Sequence, residues 1–331
     1  MVTGRDHTAL SALVQGFIFT IKTEGKAHST IDFLEGNLRR FLWYNVEHGW
    51  PDDIHAVDAW KIREFLSYAG TARCRWGIAG NGSESSRNPS TTNGWRYYRT
   101  LRRFFNWTVA EGFLVENPLS KINMKPPKEK PVQPYVPEEI GKLVAVCDYD
   151  IKNGSRFLGA RNKAIIFMFL AGGPRLSELA NLRLQDLNLE GGRARVLRKG
   201  SEEGVIGFDS TTRKALWKYL LFRKERGKKS EETADWLWLT EEGTRLTVPG
   251  LQIAFRRIKK RAGVNSPGAV HRLRHTWALN TLRQIKDPFL LQLLLGHKDL
   301  TMTRRYTMGL KIEEALAALD RASPVERLGL R

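Results

Sequence analysis

The chain has 331 residues, 41% of them hydrophobic and 10% aromatic, which excludes a disordered protein and is enough for two domains. A formal net charge of +19 points to a polyanionic partner such as nucleic acid, although charge alone leaves DNA, RNA, an anionic membrane or a merely solvated basic surface open. Cys74 and Cys147 are the only cysteines, too few and too far apart for a disulfide framework or a multi-cysteine zinc site, and a reducing cytoplasm fits.

In chain order, the first apolar stretch, Leu10 to Ile21, is broken by Ser11, Gln15 and Gly16 and has no cleavage signal behind it, so it reads as a soluble helix. From the capping residue Ser29 a second helix places Ile31, Leu34, Leu38, Leu42 and Val46 on one face. A helix at Val57 to Ala69, the Gly/Ser/Asn-rich loop Gly77 to Pro89 and a helix at Thr92 to Glu111 follow, making the first part all-helical. In the last of these Arg96, Arg99 and Arg103 form a basic row, and Tyr97, Leu101, Phe104 and Phe105 an apolar one. One face can meet phosphates while the other packs; a solvated basic face is the competing reading.

Between Asn117 and Pro137 six prolines are interspersed with lysines, which favours an extended linker. Lys125 and Lys128 are positioned either to track a DNA backbone or simply to be solvated. A second domain opens at Pro137 with two acids in the first helical turn. Its expected elements are a buried helix over Arg161 to Ala171, a helix from about Arg175, and a β-hairpin from the alternating RARVL and GVIGF segments. Helices at Thr211 to Arg226, Thr247 to Ala262 and His271 to Ile285 complete a domain that is mainly α with a minor sheet. The apolar run Ala164 to Ala171 is far shorter than the ~20 residues a membrane span needs.

Four separated segments share a pattern: GGPRLSEL (Gly172 to Leu179), LRKGSEEG (Leu197 to Gly204), HRLRHTW (His271 to Trp277) and LLGHKDLTMTRRYT (Leu294 to Thr307). Their order resembles the signature of the tyrosine recombinases, which include phage integrases and Xer proteins. That signature has an arginine in a G-x-R-x-S-E-L turn, a hairpin lysine and H-x-x-R-H. It ends in L-L-G-H with a tyrosine nine residues after that histidine. The resemblance implies a helical, SAM-like core-binding domain over residues 1–116, a linker over 117–137 and a mixed α/β catalytic domain with a small antiparallel sheet over 138–309. The whole would form a C-shaped DNA clamp. A tail over 310–331 carries Leu310, Ile312, Leu316 and Leu319 on a short amphipathic helix, which in the family commonly docks into a neighbouring protomer; packing on its own domain is the alternative.

The chemistry needs these residue types. The pentacoordinate transition state of phosphodiester attack gathers negative charge on the non-bridging oxygens, so cationic donors must be preplaced there. Arginine donates two parallel charge-assisted bonds and stays protonated, which fits Arg175 and Arg274 as a clamp. A tyrosine phenol has a reference pKa near ~10 and needs activation. Neighbouring cations favour phenolate, and His271 can accept its proton as general base. The resemblance makes Tyr306 the nucleophile, producing a 3′-phosphotyrosyl link and a free 5′-hydroxyl.

It also makes Lys199 the general acid for the leaving 5′-oxygen, and His297 a hydrogen-bond donor to the scissile phosphate. Arg198, beside Lys199, is too weak an acid to compete for that role. Glu178, three residues after Arg175, is placed to orient Arg175 or His271, or to serve as salt-bridge scaffold. His275 resembles a supporting residue. Two positions depart from the family pattern: Pro174 replaces the usual aliphatic residue and can start a helix, and Asn280 stands where many members have His.

The covalent link conserves the energy of the broken bond, so no ATP, cofactor or metal is implied, and the sequence holds no H-E-x-x-H or Walker motif. The implied partners are double-stranded DNA with inverted-repeat sites, further copies of the chain in a tetramer at a Holliday junction, and accessory DNA-bending proteins. The implied location is the cytoplasm, at the nucleoid. Two rival readings remain: a type IB topoisomerase, and a catalytically silent DNA-binding protein on the same scaffold.

Overall fold

A computed structural model describes residues 8–71, 91–127, 133–198, 202–225, 235–296 and 300–307, and the chain divides into two compact units, Met1–Lys128 and Glu129–Arg331.

The first unit is helical: α1 (Leu10–Thr23), α2 (His28–Glu47), α3 (Ala59–Thr71) and α4 (Thr91–Ala110). Their apolar faces share one core, in which Phe17, Phe41, Phe65, Phe104 and Phe105 are fully buried. Ser29 lies inside α2, whose N-cap is Ala27, and α3 begins two residues later than expected because a 3₁₀ turn, Ile54–Ala56, precedes it. The buried row on α2 also differs from the expected one: it runs Ile31, Leu34, Leu38, Phe41, Asn45, whereas Val46 is 75% exposed. A repeated spacing of four overshoots a turn of ~3.6 residues, so Leu42 lies at the margin of the core and Val46 rotates off it.

On α4 the basic row is present. Arg99 is exposed, Arg103 lies 3.7 Å from Glu24, and Arg96 stacks its guanidinium 4.6 Å from the Phe33 ring. With Ser29, Thr30 and Trp95 they line one open groove. Pro118 to Lys121 forms a turn closed by the Asn117 side chain, which accepts from the Leu119 amide at 2.8 Å, so the start of the proline-rich segment is not extended. Leu119 is buried there, and Ile122 and Met124 join the core of the first unit. Lys125 is exposed; Lys128 and the loop 77–89 lie outside the described residues, as does the tail 310–331.

In the second unit α5 (Pro137–Lys152), α6 (Arg156–Gly172), α7 (Leu176–Ala180), α8 (Ser210–Glu225), α9 (Val248–Arg261), α10 (His271–Ile285), α11 (Pro288–Leu295) and α12 (Thr301–Thr307) surround a small sheet. Its strands β1 (Leu187–Asn188), β2 (Arg193–Leu197) and β3 (Glu203–Gly207) are antiparallel in the order β1-β2-β3, with Arg195 opposite Val205. Alternation buries Ala194, Val196 and Ile206 and exposes Arg193, Arg195 and Leu197, the period-2 pattern of a one-sided sheet. The central helix α6 is buried on most sides, and α5, α8 and α10 pack against it. It begins at Arg156, five residues before the expected Arg161, which is itself buried and donates to the Asn162 side chain and the Leu239 carbonyl.

α6 ends at Gly173, which takes the left-handed conformation (φ 56°) that an L side chain rarely adopts. Pro174 then prevents the helix from continuing, and α7 starts at Leu176 with Arg175 at its N-cap. Pro174 therefore stands before the cap and does not open the helix. Among the described residues no helix is long and apolar enough to cross a membrane.

Candidate active site

Three chain segments converge on the C-terminal end of α11. That helix is fixed at its start by Asp287, whose carboxylate accepts from the Phe289 and Leu290 amides at 2.8 and 3.1 Å, with Pro288 at the first position. At its end Gly296 turns left-handed (φ 61°) and leaves the last carbonyls without intrahelical partners. Two arginines fill that need. Arg175 donates through Nη2 to the Gly296 carbonyl at 2.9 Å, and Arg274 donates through Nη2 to the Leu295 carbonyl at 3.0 Å. Cations are favourable at a helix C-terminus, so the negative end of the dipole offsets part of the cost of bringing two guanidiniums together.

Glu178 offsets the rest. Its carboxylate is buried, accepts from the Arg175 amide and from Arg175 Nη1, both at 2.7 Å, and lies 4.0 Å from Arg274 Nη1. Of the roles open to it, contact with both arginines is what the geometry displays. Arg274 also donates through Nη1 to the Gly173 carbonyl, so the left-handed turn after α6 helps to seat it. Burial, then the Arg175 charge, pushes Arg274 down to about 10, against the opposing pull of Glu178 and Tyr306. It remains cationic at neutral pH.

α10 carries the other groups, and its two faces have different tasks. On one face Arg272 donates to the Gln133 and Pro134 carbonyls, both at 2.8 Å, and stacks 4.2 Å from the Tyr135 ring, while Thr276 accepts from the Tyr135 amide at 2.8 Å. Those contacts fasten the incoming chain. On the other face lie His271, Arg274 and His275. His271 is exposed, and its pKa is lowered first by desolvation and then by Arg274 and Arg175, with Glu178 acting in the opposite direction.

Tyr306, on α12, is buried against Ala278, Leu279, Leu282, Leu291 and Leu295. Its hydroxyl lies 2.8 Å from Nδ1 of His275, which the sequence had marked only as supporting. His271 and His275 are four apart, hence on one helix face, and their rings meet edge to face at 6.1 Å. Arg175, Glu178, His271, Arg274 and Tyr306 are therefore brought together. Lys199 and His297 lie outside the described residues. Among the described residues no group of His, Cys, Asp or Glu gathers in a form able to hold a metal.

Residues 136–311, more than half of the chain, match the model of the phage integrase family. The chain belongs to the phage integrase family. It is a tyrosine recombinase, an enzyme of site-specific recombination. The tyrosine recombinase XerD of Listeria monocytogenes serotype 4b (strain F2365) is 28% identical over 302 residues, 90% of this chain and 94% of that protein. The tyrosine recombinase XerC of Oceanobacillus iheyensis is 34% identical over 214 residues, 64% of this chain and 68% of its own. Among solved structures, the XerH site-specific recombinase bound to palindromic difH substrate in a post-cleavage complex aligns with a TM-score of 0.66 and 22% identity. It covers 95% of this chain and 84% of that one, a likeness of fold. These relatives favour recombination over the topoisomerase and silent-binding readings.

Proposed function

We propose that this integrase recombines double-stranded DNA at inverted-repeat sites through a covalent phosphotyrosine at Tyr306. The observation that carries the reading is the convergence of Arg175, of His271 and Arg274 on α10, and of Tyr306 on α12, with both arginines at the end of α11. Arg175 and Arg274 bind the non-bridging oxygens of the scissile phosphate, giving up carbonyl bonds for charge-assisted ones. Tyr306 Oη forms a bond to phosphorus as the bond from phosphorus to the 5′-oxygen breaks. The phenolic hydroxyl, held by His275 in the free protein, gives its proton to His271, whose lowered pKa keeps it able to accept, and Lys199 donates a proton to the leaving 5′-oxygen. His297 hydrogen-bonds the phosphate. Attack by a 5′-hydroxyl of the partner strand reverses the step through a Holliday junction, and the conserved bond energy makes ATP unnecessary.

The first unit, with Arg96, Arg99 and Arg103 along one groove and Lys125 exposed beyond it, serves as the core-binding domain of residues 1–116; Lys128 extends this basic track in the linker. Residues 138–309 form the catalytic domain. Phe289, Leu290, Leu293 and Leu294 leave an apolar face on α11 exposed, which supports assembly of further copies through the tail 310–331 into a tetramer on paired sites. Accessory DNA-bending proteins would set direction, and the reaction takes place in the cytoplasm at the nucleoid.

The test is a DNA suicide substrate nicked beside the cleavage position. The protein is expected to become covalently attached through a 3′-phosphotyrosine, and Tyr306→Phe to abolish attachment while DNA binding persists. Undiminished trapping by the Phe variant would remove Tyr306 from the role.

A further inference from the structure

The last carbonyls of α11 hold a third guanidinium as well. Arg198, at the end of β2, directs Nη2 to the Leu294 carbonyl at 3.4 Å, so Leu294, Leu295 and Gly296 in succession face Arg198, Arg274 and Arg175. Successive residues rise only ~1.5 Å along a helix, so these acceptors gather the three cations into one small volume. We propose that Arg198 is a third phosphate-binding arginine of the reaction centre, completing a cluster with Arg175 and Arg274. This rests on the reading of that centre as the site of phosphodiester attack.

Three further observations agree. The backbone is cleared for this side chain: a Cβ at Gly296 would collide with Arg198 Nη1, and one at Gly204 with Arg198 Nε, so the guanidinium crosses a saddle between two glycines. Among the described residues the Nε of Arg198 is buried without a hydrogen-bond partner, a donor left unmet beside the proposed anion site. The charge is also uncompensated. Arg175 and Arg274 share the carboxylate of Glu178, while among the described residues no carboxylate pairs with Arg198. Arg198 lies close enough to Arg274 to oppose its protonation, which a phosphate between them would reverse. Because a guanidinium holds its proton too tightly to act as an acid, the role is charge stabilisation, separate from that of Lys199 next to it.

The competing role is a latch that seats the β2–β3 hairpin, and with it Lys199, on α11. Single-turnover cleavage separates the two with nicked DNA carrying either an ordinary scissile phosphate or a methylphosphonate, which lacks the negative charge on its non-bridging oxygen. Arg198→Ala and Arg198→Gln are expected to cleave the phosphate about 100-fold more slowly than the unsubstituted protein, and the methylphosphonate within about threefold of it, as befits loss of one preplaced cationic donor. Arg198→Lys should recover part of the phosphate rate. Equal slowing on both substrates, no slowing, or recovery when sulfur replaces the 5′ leaving oxygen would overturn the proposal. Thermal melting and DNA binding identify a variant that misfolds; the Gln variant, which keeps a polar side chain there, then decides. Absence of any covalent product from the unsubstituted protein would instead overturn the reading of the reaction centre.

Discussion

At the scale of single residues, Arg175 and Arg274 crowd positive charge beside His271 in the proposed site. His271 is the most sensitive reporter. Desolvation and the two arginines hold it below 6.5 in the free protein, so at neutral pH it is an unprotonated acceptor. The sign follows from proton counting: between the folded value and 6.5 the unfolded chain holds more protons, so His271 contributes stability above 6.5 that is lost as pH falls through this window. An NMR titration of His271 in the free protein should show a midpoint below 6.5, moving upward when DNA supplies a phosphate to offset Arg175 and Arg274. The acid limb of kcat/KM for cleavage should track the free-protein midpoint, and a midpoint above 6.5 would contradict the crowding of charge described for this site.

Much of this was legible from residue types. Arg175, Arg274 and Tyr306 stand in motifs that resemble a family signature, and Glu178 lies three residues from Arg175, within reach on a helix. The contact of His275 with Tyr306 was not legible, because it depends on α12 lying across α10, a tertiary fact that no local spacing contains.

At the scale of elements, caps and turns do most of the positioning. The left-handed turn at Gly173 ends α6, sends Arg175 to the start of α7 and offers its carbonyl to Arg274. Its missing Cβ matters twice, since a side chain would be strained at φ 56° and would also collide with the Trp277 ring. Gly173→Ala should therefore cost at least about 1–3 kcal/mol, visible as a lowered midpoint in chemical denaturation, and reduce cleavage alongside. An unchanged midpoint would mean that the turn relaxes without cost.

The sequence carried α11 in plain form, with Asp287 and Pro288 at its start and Gly296 at its end, yet its eight residues are apolar enough to conceal any periodicity. The opposite error arose on α2, where a row drawn four residues apart ended on the exposed Val46. In both cases boundaries and rotation were decided by capping chemistry and by the true helical pitch, not by hydrophobicity alone.

At the scale of the whole molecule, a net charge of +19 favours a polyanionic partner. The exposed apolar face of α11 is the feature that charge does not explain, and the tail 310–331 is its proposed counterpart in a neighbouring copy. Deleting residues 310–331 should leave binding of one DNA half-site nearly unchanged but remove the larger complexes on paired sites, as read by gel shift and light scattering. Persistence of those complexes would assign assembly to another surface.

The end of α11 has a further consequence for how this enzyme can vary. Leu294 and Leu295 meet the arginines through peptide oxygens, so what the guanidiniums see is set by the path of the backbone. The Leu295 side chain has a separate task, since it is buried in the cluster that holds Tyr306. Inserting one residue between Leu295 and Gly296 would rotate the following backbone by ~100° and take the Gly296 carbonyl away from Arg175 while Arg274 and Arg198 keep theirs, so the register of the three cations depends on the length of this stretch.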